Sequence, residues 1–286
     1  MKGIILAAGK GTRLYPMTYP VCKPLLPIYD KPMIYYPLDV LLKAGIRDIL
    51  VITPPTGEIE TFRRTLGDGS SVGANISYME QPVQRGIADA LILGEEFIGG
   101  DRVCLVLGDN IFYSPVIEKS LAQAVANETG ATVFGYYVDD PRPFGVVEFD
   151  AAGRVLSLEE KPRQPKSNYI VPGLYFYDGQ ASEIAKGLSP SARGELEITD
   201  LNIGYMHRGQ LQVVLLDKQF TWFDAGTAQS LLDASFGIKK LQDETGSYVG
   251  CIEETAWRKG FITKERKDAV GESLRSTLYG QYLLNL

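Results

Sequence analysis

The sequence predicts an α/β fold: a doubly wound, mixed and mostly parallel sheet with inserted β-hairpins and a helical C-terminal appendage. Three observations lead there. Over the first half, short apolar runs alternate with segments whose apolar residues recur at helical spacing. A glycine-rich loop follows the first apolar run at once. The second half turns to short strand-like runs around tight turns, and from Glu253 onward it reads as helix.

Taken in order, Ile4 to Ala8 predicts a strand apolar on both faces, as a parallel sheet requires. Met33 to Ala44 has the spacing of a helix, with Gly45 where a C-terminal cap belongs. Asp48 to Ile52 is the next buried strand, Glu58 to Leu66 a helix, Ile76 to Met79 a strand and Ile87 to Phe97 a helix. Val103 to Leu107 is an apolar strand that runs into Gly108-Asp109-Asn110. Val146 to Asp150 and Val155 to Leu158, joined through Ala151-Ala152-Gly153, predict a hairpin. Tyr169 to Tyr177 predicts one strand, Ile198 to Arg208 a helix, Gln212 to Leu216 a strand and Ala228 to Gln242 an amphipathic helix.

The 286 residues are 45% hydrophobic and 22% charged, which excludes collagen-like, disordered and disulfide-scaffold classes. With 29 basic against 35 acidic residues the net charge is −6, so no general attraction to nucleic acid or to an anionic membrane is expected. A polyanionic small molecule would need a local pocket of cations and backbone amides. No apolar stretch approaches the ~18 residues of a membrane span. The apolar start breaks off at Gly9-Lys10-Gly11, too soon for a secretory leader. Cys22, Cys104 and Cys251 are too scattered for a disulfide framework or a C-x-x-C zinc site, and a cytoplasmic location is expected.

The loop Leu6-Ala7-Ala8-Gly9-Lys10-Gly11-Thr12-Arg13-Leu14 carries the chemistry. Glycines at 9 and 11 let backbone N–H groups approach an anion, and Lys10, Thr12 and Arg13 add two charges and a hydroxyl. A triphosphate is the natural guest. The dinucleotide fingerprint fails because Leu14 stands where its third glycine belongs, and its ribose acid is missing after Val51-Ile52-Thr53-Pro54. This counts against a nicotinamide oxidoreductase. The P-loop pattern occurs nowhere in the chain.

This loop, with Lys23-Pro24-Leu25-Leu26-Pro27, resembles the signature of the sugar-phosphate nucleotidylyltransferases. Pro27-Ile28-Tyr29-Asp30-Lys31-Pro32-Met33-Ile34-Tyr35-Tyr36 is similar to the branch that makes dTDP-glucose from dTTP and glucose 1-phosphate. Leu158-Glu159-Glu160-Lys161-Pro162, Gly173-Leu174-Tyr175-Phe176-Tyr177-Asp178, Arg193-Gly194-Glu195-Leu196-Glu197-Ile198-Thr199-Asp200 and Trp222-Phe223-Asp224 extend the likeness almost end to end. The resemblance implies a Rossmann-like nucleotidyltransferase fold, with a catalytic domain over 1–240 and a helical segment over 241–286 packing on it and at subunit contacts.

The reaction it implies is attack by the sugar phosphate on the α-phosphorus of the triphosphate, with pyrophosphate leaving. A phosphate oxygen is already anionic, so no general base is needed, and the lone His207 fits a structural role. What the reaction requires is charge neutralisation and in-line positioning of two anions. By resemblance, Arg13 stabilises the transition state and Lys23 holds the triphosphate, with Leu6, Gly9, Gly11 and Thr12 in the nucleotide cradle. Gln81 pairs with the base and Gly86 lets the next helix approach it. Asp109 and Asp224 are implied Mg²⁺ ligands, hard oxygen donors suited to that ion. Lys161 is the implied sugar-phosphate clamp, with Glu160, Gly145 and Val171 on the sugar, although Glu159-Glu160-Lys161 alone reads as a solvated charge run.

Several positions depart from the branch. Arg85 stands where it has Asp, Asp89 where it has Gln, and Pro172 where it has Thr. These touch the base wall and the sugar region, so a uridylyltransferase on glucose 1-phosphate or N-acetylglucosamine 1-phosphate is the alternative activity. A catalytically inactive nucleotide-sugar sensor is the non-enzymatic one. Gly250 to Gly260 is similar to a second site that binds dTDP-rhamnose as a feedback effector in tetrameric members, although Tyr113-Ser114-Pro115-Val116 lacks their Gly-His. A homotetramer is the implied assembly.

Overall fold

The strand Lys2–Leu6 is the axis of the molecule. In the computed structural model, which describes residues 1–55 and 57–286, it pairs in parallel with Asp48–Thr53 on one side and Val103–Leu107 on the other. Asn75–Glu80 adds a further parallel strand at that edge. The sheet continues through Leu174–Tyr177, Ala131–Tyr137, Tyr169–Ile170, Gly145–Phe149 and Val155–Glu160, and Leu211–Leu215 pairs in parallel with Ala131–Tyr137. Only Leu174–Tyr177, Tyr169–Ile170 and Val155–Glu160 oppose the common direction, so seven of ten strands share it. This is the mixed, mostly parallel sheet read from the sequence.

Successive side chains of a strand point to opposite faces, and both faces are filled here. Ile5, Val51, Cys104 and Val106 pack on one side with Leu38, Leu41 and Leu42 of the helix Tyr35–Lys43. Ile4, Leu50, Ile52, Val103 and Leu105 pack on the other with Tyr175, Tyr177 and Tyr205. Each fully buried leucine contributes about 1.5–3 kcal/mol, so the three from this one helix fix its docking. Pro37 is tolerated in the first helical turn, where its missing N–H has no partner to lose. The helix ends as read: Gly45, at φ +81°, donates to Leu42 O while Ile46 donates to Leu41 O.

Two readings are corrected, and one strand lies outside the elements read from the sequence. The single strand over Tyr169 to Tyr177 is two, because Pro172 has no N–H and Gly173 packs with no room for a side chain: a methyl there would sit 2.6 Å from Leu107 and 2.9 Å from Asn110. The helix over Ile87 to Phe97 breaks at Gly94 into Asp89–Leu93 and Glu95–Ile98, where a methyl would sit 2.8 Å from Ile4. The interior strand Ala131–Tyr137 carries no apolar run long enough to be read, because Thr132 and Gly135 interrupt it. The Thr132 hydroxyl accepts from Asn127 Nδ2 at 2.9 Å, which removes the cost of burying it.

The helix Ala228–Thr245 opens on a reciprocal cap between Thr227 and Ser230 and runs through position 240 to Gly246. Beyond it Ile252–Arg258, Lys264–Ser273 and Leu278–Asn285 form the helical tail. The tail is anchored to the core where Thr255 Oγ1 donates to the buried Asp39 at 2.5 Å.

Candidate active site

A cavity of about 570 Å³ opens beside the C-terminal ends of the parallel strands, where open α/β sheets place their ligands. Arg13, Asp109, Gly145, Glu160, Lys161, Val171 and Asp224 all line it. These seven predicted residues come from six separate segments. Leu6, Gly9, Gly11, Thr12, Lys23, Gln81 and Gly86 lie outside that lining.

A two-stranded ribbon brings the two acids together. Ile111–Tyr113 pairs antiparallel with Thr221–Phe223, Ile111 opposite Phe223. Asp109 precedes one strand and Asp224 follows the other, so antiparallel pairing puts both at the same end. Lys23, almost fully buried, locks the arrangement: its Nζ donates to Asp109 Oδ2 at 2.6 Å and to Asp224 O at 3.1 Å. Asn110 secures the other carboxylate oxygen, donating from Nδ2 to Asp109 Oδ1 at 2.9 Å. The Asn110 Oδ1 atom accepts from Trp222 Nε1 at 2.7 Å and from the Gly173 amide at 2.9 Å. One asparagine thus joins the acid loop, the ribbon and the break in the sheet.

Arg13 sits in the short helix Thr12–Leu14. A methyl on Gly226 would lie 3.0 Å from Arg13 Nη2 and 3.1 Å from Asp224 Oδ2, so glycine there lets cation and carboxylate share one corner. The preceding loop owes its glycines to different causes. Gly11 has φ +61° and its backbone lies against Thr18 and Lys23, a requirement of the fold. Gly9 faces open space, so packing does not demand it, and an approaching ligand remains its physical reason. Gln84 donates from its side chain to Ala8 O, drawing the Gln81–Gly86 loop to the glycine loop.

Gln81 follows the edge strand Asn75–Glu80 and is 3% exposed. Its Nε2 donates to Asp89 Oδ2 at 2.8 Å. Gly86 is glycine for a packing reason: at φ +103° a side chain would strike Leu196 O at 2.5 Å.

The opposite wall carries Glu160 and Lys161. Glu160 Oε2 accepts from Thr199 Oγ1 at 2.6 Å, and Arg193 Nη2 approaches Oε1 at 3.4 Å. Arg193 is fastened by Glu197, its Nη2 donating at 2.9 and 2.8 Å to the two carboxylate oxygens. Lys161 has φ +47°, an unfavourable backbone held by its N–H donating to Phe144 O at 3.0 Å. This turn re-aims the lysine after the strand Val155–Glu160. Burial and the neighbouring Glu197 and Glu160 push the Asp200 carboxyl above its ordinary range.

Sequence reasoning assigned no role to Asn110, Arg193, Thr199 or Trp222, yet all four line the cavity. Each sits inside or next to a motif that was recognised, so proximity to Asp109, Glu195 or Asp224 was the available signal. His207 ends the helix Ile198–His207 and does not line the cavity.

Cations and carboxylates facing each other across a polar cavity beside a glycine loop suit the joining of two phosphate esters. They supply charge and position rather than a nucleophile. The chain belongs to the nucleotidyl transferase family, whose model matches residues 2–240. More particularly, it is 56% identical over 286 residues to the glucose-1-phosphate thymidylyltransferase of Neisseria gonorrhoeae, covering 100% of this chain and 99% of the relative. The enzyme of that name from Mycolicibacterium smegmatis is 52% identical with the same coverage. A Bacillus anthracis structure described as a glucose-1-phosphate thymidylyltransferase, solved with sucrose, is similar at 43% identity and TM-score 0.75, covering 82% of this chain and 94% of that one. A UDP-glucose pyrophosphorylase complexed with UDP-glucose, 24% identical with TM-score 0.73, shares the fold over 84% of this chain and 98% of its own.

Proposed function

We propose that this protein is a glucose-1-phosphate thymidylyltransferase, transferring a thymidylyl group from dTTP to glucose 1-phosphate with release of pyrophosphate. Full-length likeness to enzymes of that name supports the activity. The observation that carries the chemistry is the meeting of Arg13, Asp109, Asp224 and Lys161 on one cavity.

The triphosphate lies along the loop from Leu6 to Thr12, with Gly9 leaving room for it and Arg13 over the α-phosphoryl group. Lys23 adds charge from below while holding both acids in register. Lys161 binds the phosphate of the sugar as a point charge, and Glu160, Gly145 and Val171 meet the sugar. Glu160 arrives already oriented by Thr199. The attacking oxygen needs no proton removed, so the residues bind, align and neutralise.

Mg²⁺ fits the donor set. Among the described residues no three metal-ligating side chains cluster, so the chain itself offers two carboxylates, Asp109 and Asp224. Mg²⁺ is commonly held by one or two carboxylates together with substrate phosphates. When bound there it neutralises phosphate charge in the transition state.

We further assign the core to 1–240 and the tail to 241–286, with the tail at subunit contacts of a homotetramer and Gly250 to Gly260 as an effector segment for dTDP-rhamnose. The three cysteines are buried and unpaired, and no helix among the described residues is long and apolar enough to cross a membrane. We place the enzyme in the cytoplasm. The test is pyrophosphate release with Mg²⁺ and glucose 1-phosphate, comparing dTTP with UTP and the parent with Asp109→Asn. Rapid release with dTTP that falls ~10²–10³-fold in the variant is expected. A preference for UTP would move the activity to the uridylyl class, and no release with either would overturn it.

A further inference from the structure

We infer that Asp89 is a positioning residue for nucleobase selection, fixing which end of the Gln81 amide is offered to the base. The inference rests on the reading that the base lies against Gln81. Gln81 stands at the C-terminal end of the edge strand Asn75–Glu80, its N–H donating to Thr53 O at 2.8 Å. The same loop reaches the glycine loop through Gln84 and Ala8.

A primary amide has two faces of opposite polarity, and a rotation of half a turn exchanges them. Here the exchange is blocked. Asp89 is 1% exposed, and its Oδ2 accepts from Gln81 Nε2 at 2.8 Å. An ionised carboxylate accepts hydrogen bonds and never donates, so only the NH₂ end of Gln81 can face it. Arg85 Nη2 donates to Asp89 Oδ1 at 2.7 Å and holds the buried carboxylate in place from the solvent side. This relay uses two of the positions at which the sequence departs from its branch, Arg85 and Asp89.

The consequence falls on the other end of the amide. Gln81 Oε1 has no hydrogen-bond partner among the described residues, and it is not a sealed atom, although the residue is 3% exposed. One Nε2 hydrogen also remains. Gln81 therefore presents a fixed acceptor beside a donor. Thymine and uracil offer the complement, a ring N–H beside a carbonyl oxygen. Cytosine offers the reverse, a bare ring nitrogen beside an amino group, and would leave like poles opposed in a buried site. Asp89 thus selects keto pyrimidines over amino pyrimidines and is blind to the thymine methyl.

The experiment measures kcat/KM for dTTP and for dCTP with glucose 1-phosphate in the parent and in Asp89→Asn, Gln81→Ala, Arg85→Gln and the double variant Asp89→Asn/Gln81→Ala. Asparagine keeps the shape of Asp89 but either donates or accepts, so the amide is released. The dTTP-to-dCTP ratio is expected to fall about tenfold in Asp89→Asn. The change should come through KM, falling for dCTP as the freed amide turns to pair with it and rising for dTTP, with kcat within twofold, and the double variant should be no worse than Gln81→Ala. Arg85→Gln should lower the ratio two- to threefold. A ratio that falls in Gln81→Ala but not in Asp89→Asn overturns the positioning role while leaving the base site standing. An unchanged ratio in Gln81→Ala overturns the base reading and this inference with it. If Asp89→Asn fails to fold by thermal melting, Arg85→Gln decides, and an unchanged ratio there overturns the relay.

Discussion

Replacing Lys23 by methionine separates the contribution of this residue to stability from the role proposed for it in the reaction. Its Nζ lies 2.6 Å from Asp109 Oδ2, and the lysine side chain is 8% exposed against 31% for Asp109. Breaking a fully buried pair costs about 3–5 kcal/mol. Asp109 can recover part of its hydration, so ~1–3 kcal/mol is expected. A chain of 286 residues, at ~2.1 cal/mol/K of unfolding entropy per residue, gains ~0.6 kcal/mol/K, so Tm should fall about 2–5 °C. Removing one positioned charge from the transition state should cost ~10²–10³ in kcat, about 2.7–4 kcal/mol. The rate should therefore suffer more than the fold. The assay is pyrophosphate release at saturating dTTP and glucose 1-phosphate, beside a thermal melt. A variant that melts lower yet keeps kcat within threefold would refute the catalytic role and leave Lys23 a clamp on Asp109. Adding Asp109→Asn divides the effect further: if Lys23 acts only through that carboxylate, the double variant is no slower than Asp109→Asn.

Three other perturbations test the remaining corners of the site. Lys161→Ala should raise KM for glucose 1-phosphate about tenfold or more while leaving KM for dTTP within threefold; initial rates with each substrate varied in turn check this. Gly226→Ala adds a methyl 3.0 Å from Arg13 Nη2 and 3.1 Å from Asp224 Oδ2. A shift of a few tenths of an ångström at each should lower kcat about tenfold with little loss of stability, read from turnover and melting together. Burial pushes the Glu253 carboxyl above its ordinary 4.5, against the favourable contact from Tyr279. The neutral acid is favoured in the folded state, so its stabilisation is complete below pH 4.5 and is lost as pH rises through the folded value. Glu253→Gln should flatten that part of the melting curve against pH and raise Tm at pH 7.

Much of the fold was legible because the decisive residues lie next to one another in the chain. Val103–Leu107 is read from its own five apolar residues, and the stop after Lys43 from the glycine two positions on. Where distant partners decide, local patterns misled. Ala131–Tyr137 looks too broken by Thr132 and Gly135 to be an interior strand, but its hydroxyl finds Asn127 and neighbouring strands cover both edges. The split at Pro172 and Gly173 became visible only with Leu107 and Asn110 packed against it.

The site divides the same way. The sequence by itself determined the chemical types: a glycine loop open to an anion, Arg13 and Lys161 as cations, Asp109 and Asp224 as hard acids. These are properties of single residues and short motifs. Only the tertiary structure decided that they meet, because the Ile111–Tyr113 and Thr221–Phe223 ribbon joins segments far apart in the chain. It alone gave Gly86 a packing cause in Leu196, and it alone set the polarity of Gln81 through Asp89. An amide carries both a donor and an acceptor, and which one faces a ligand is settled by the neighbour that holds the other.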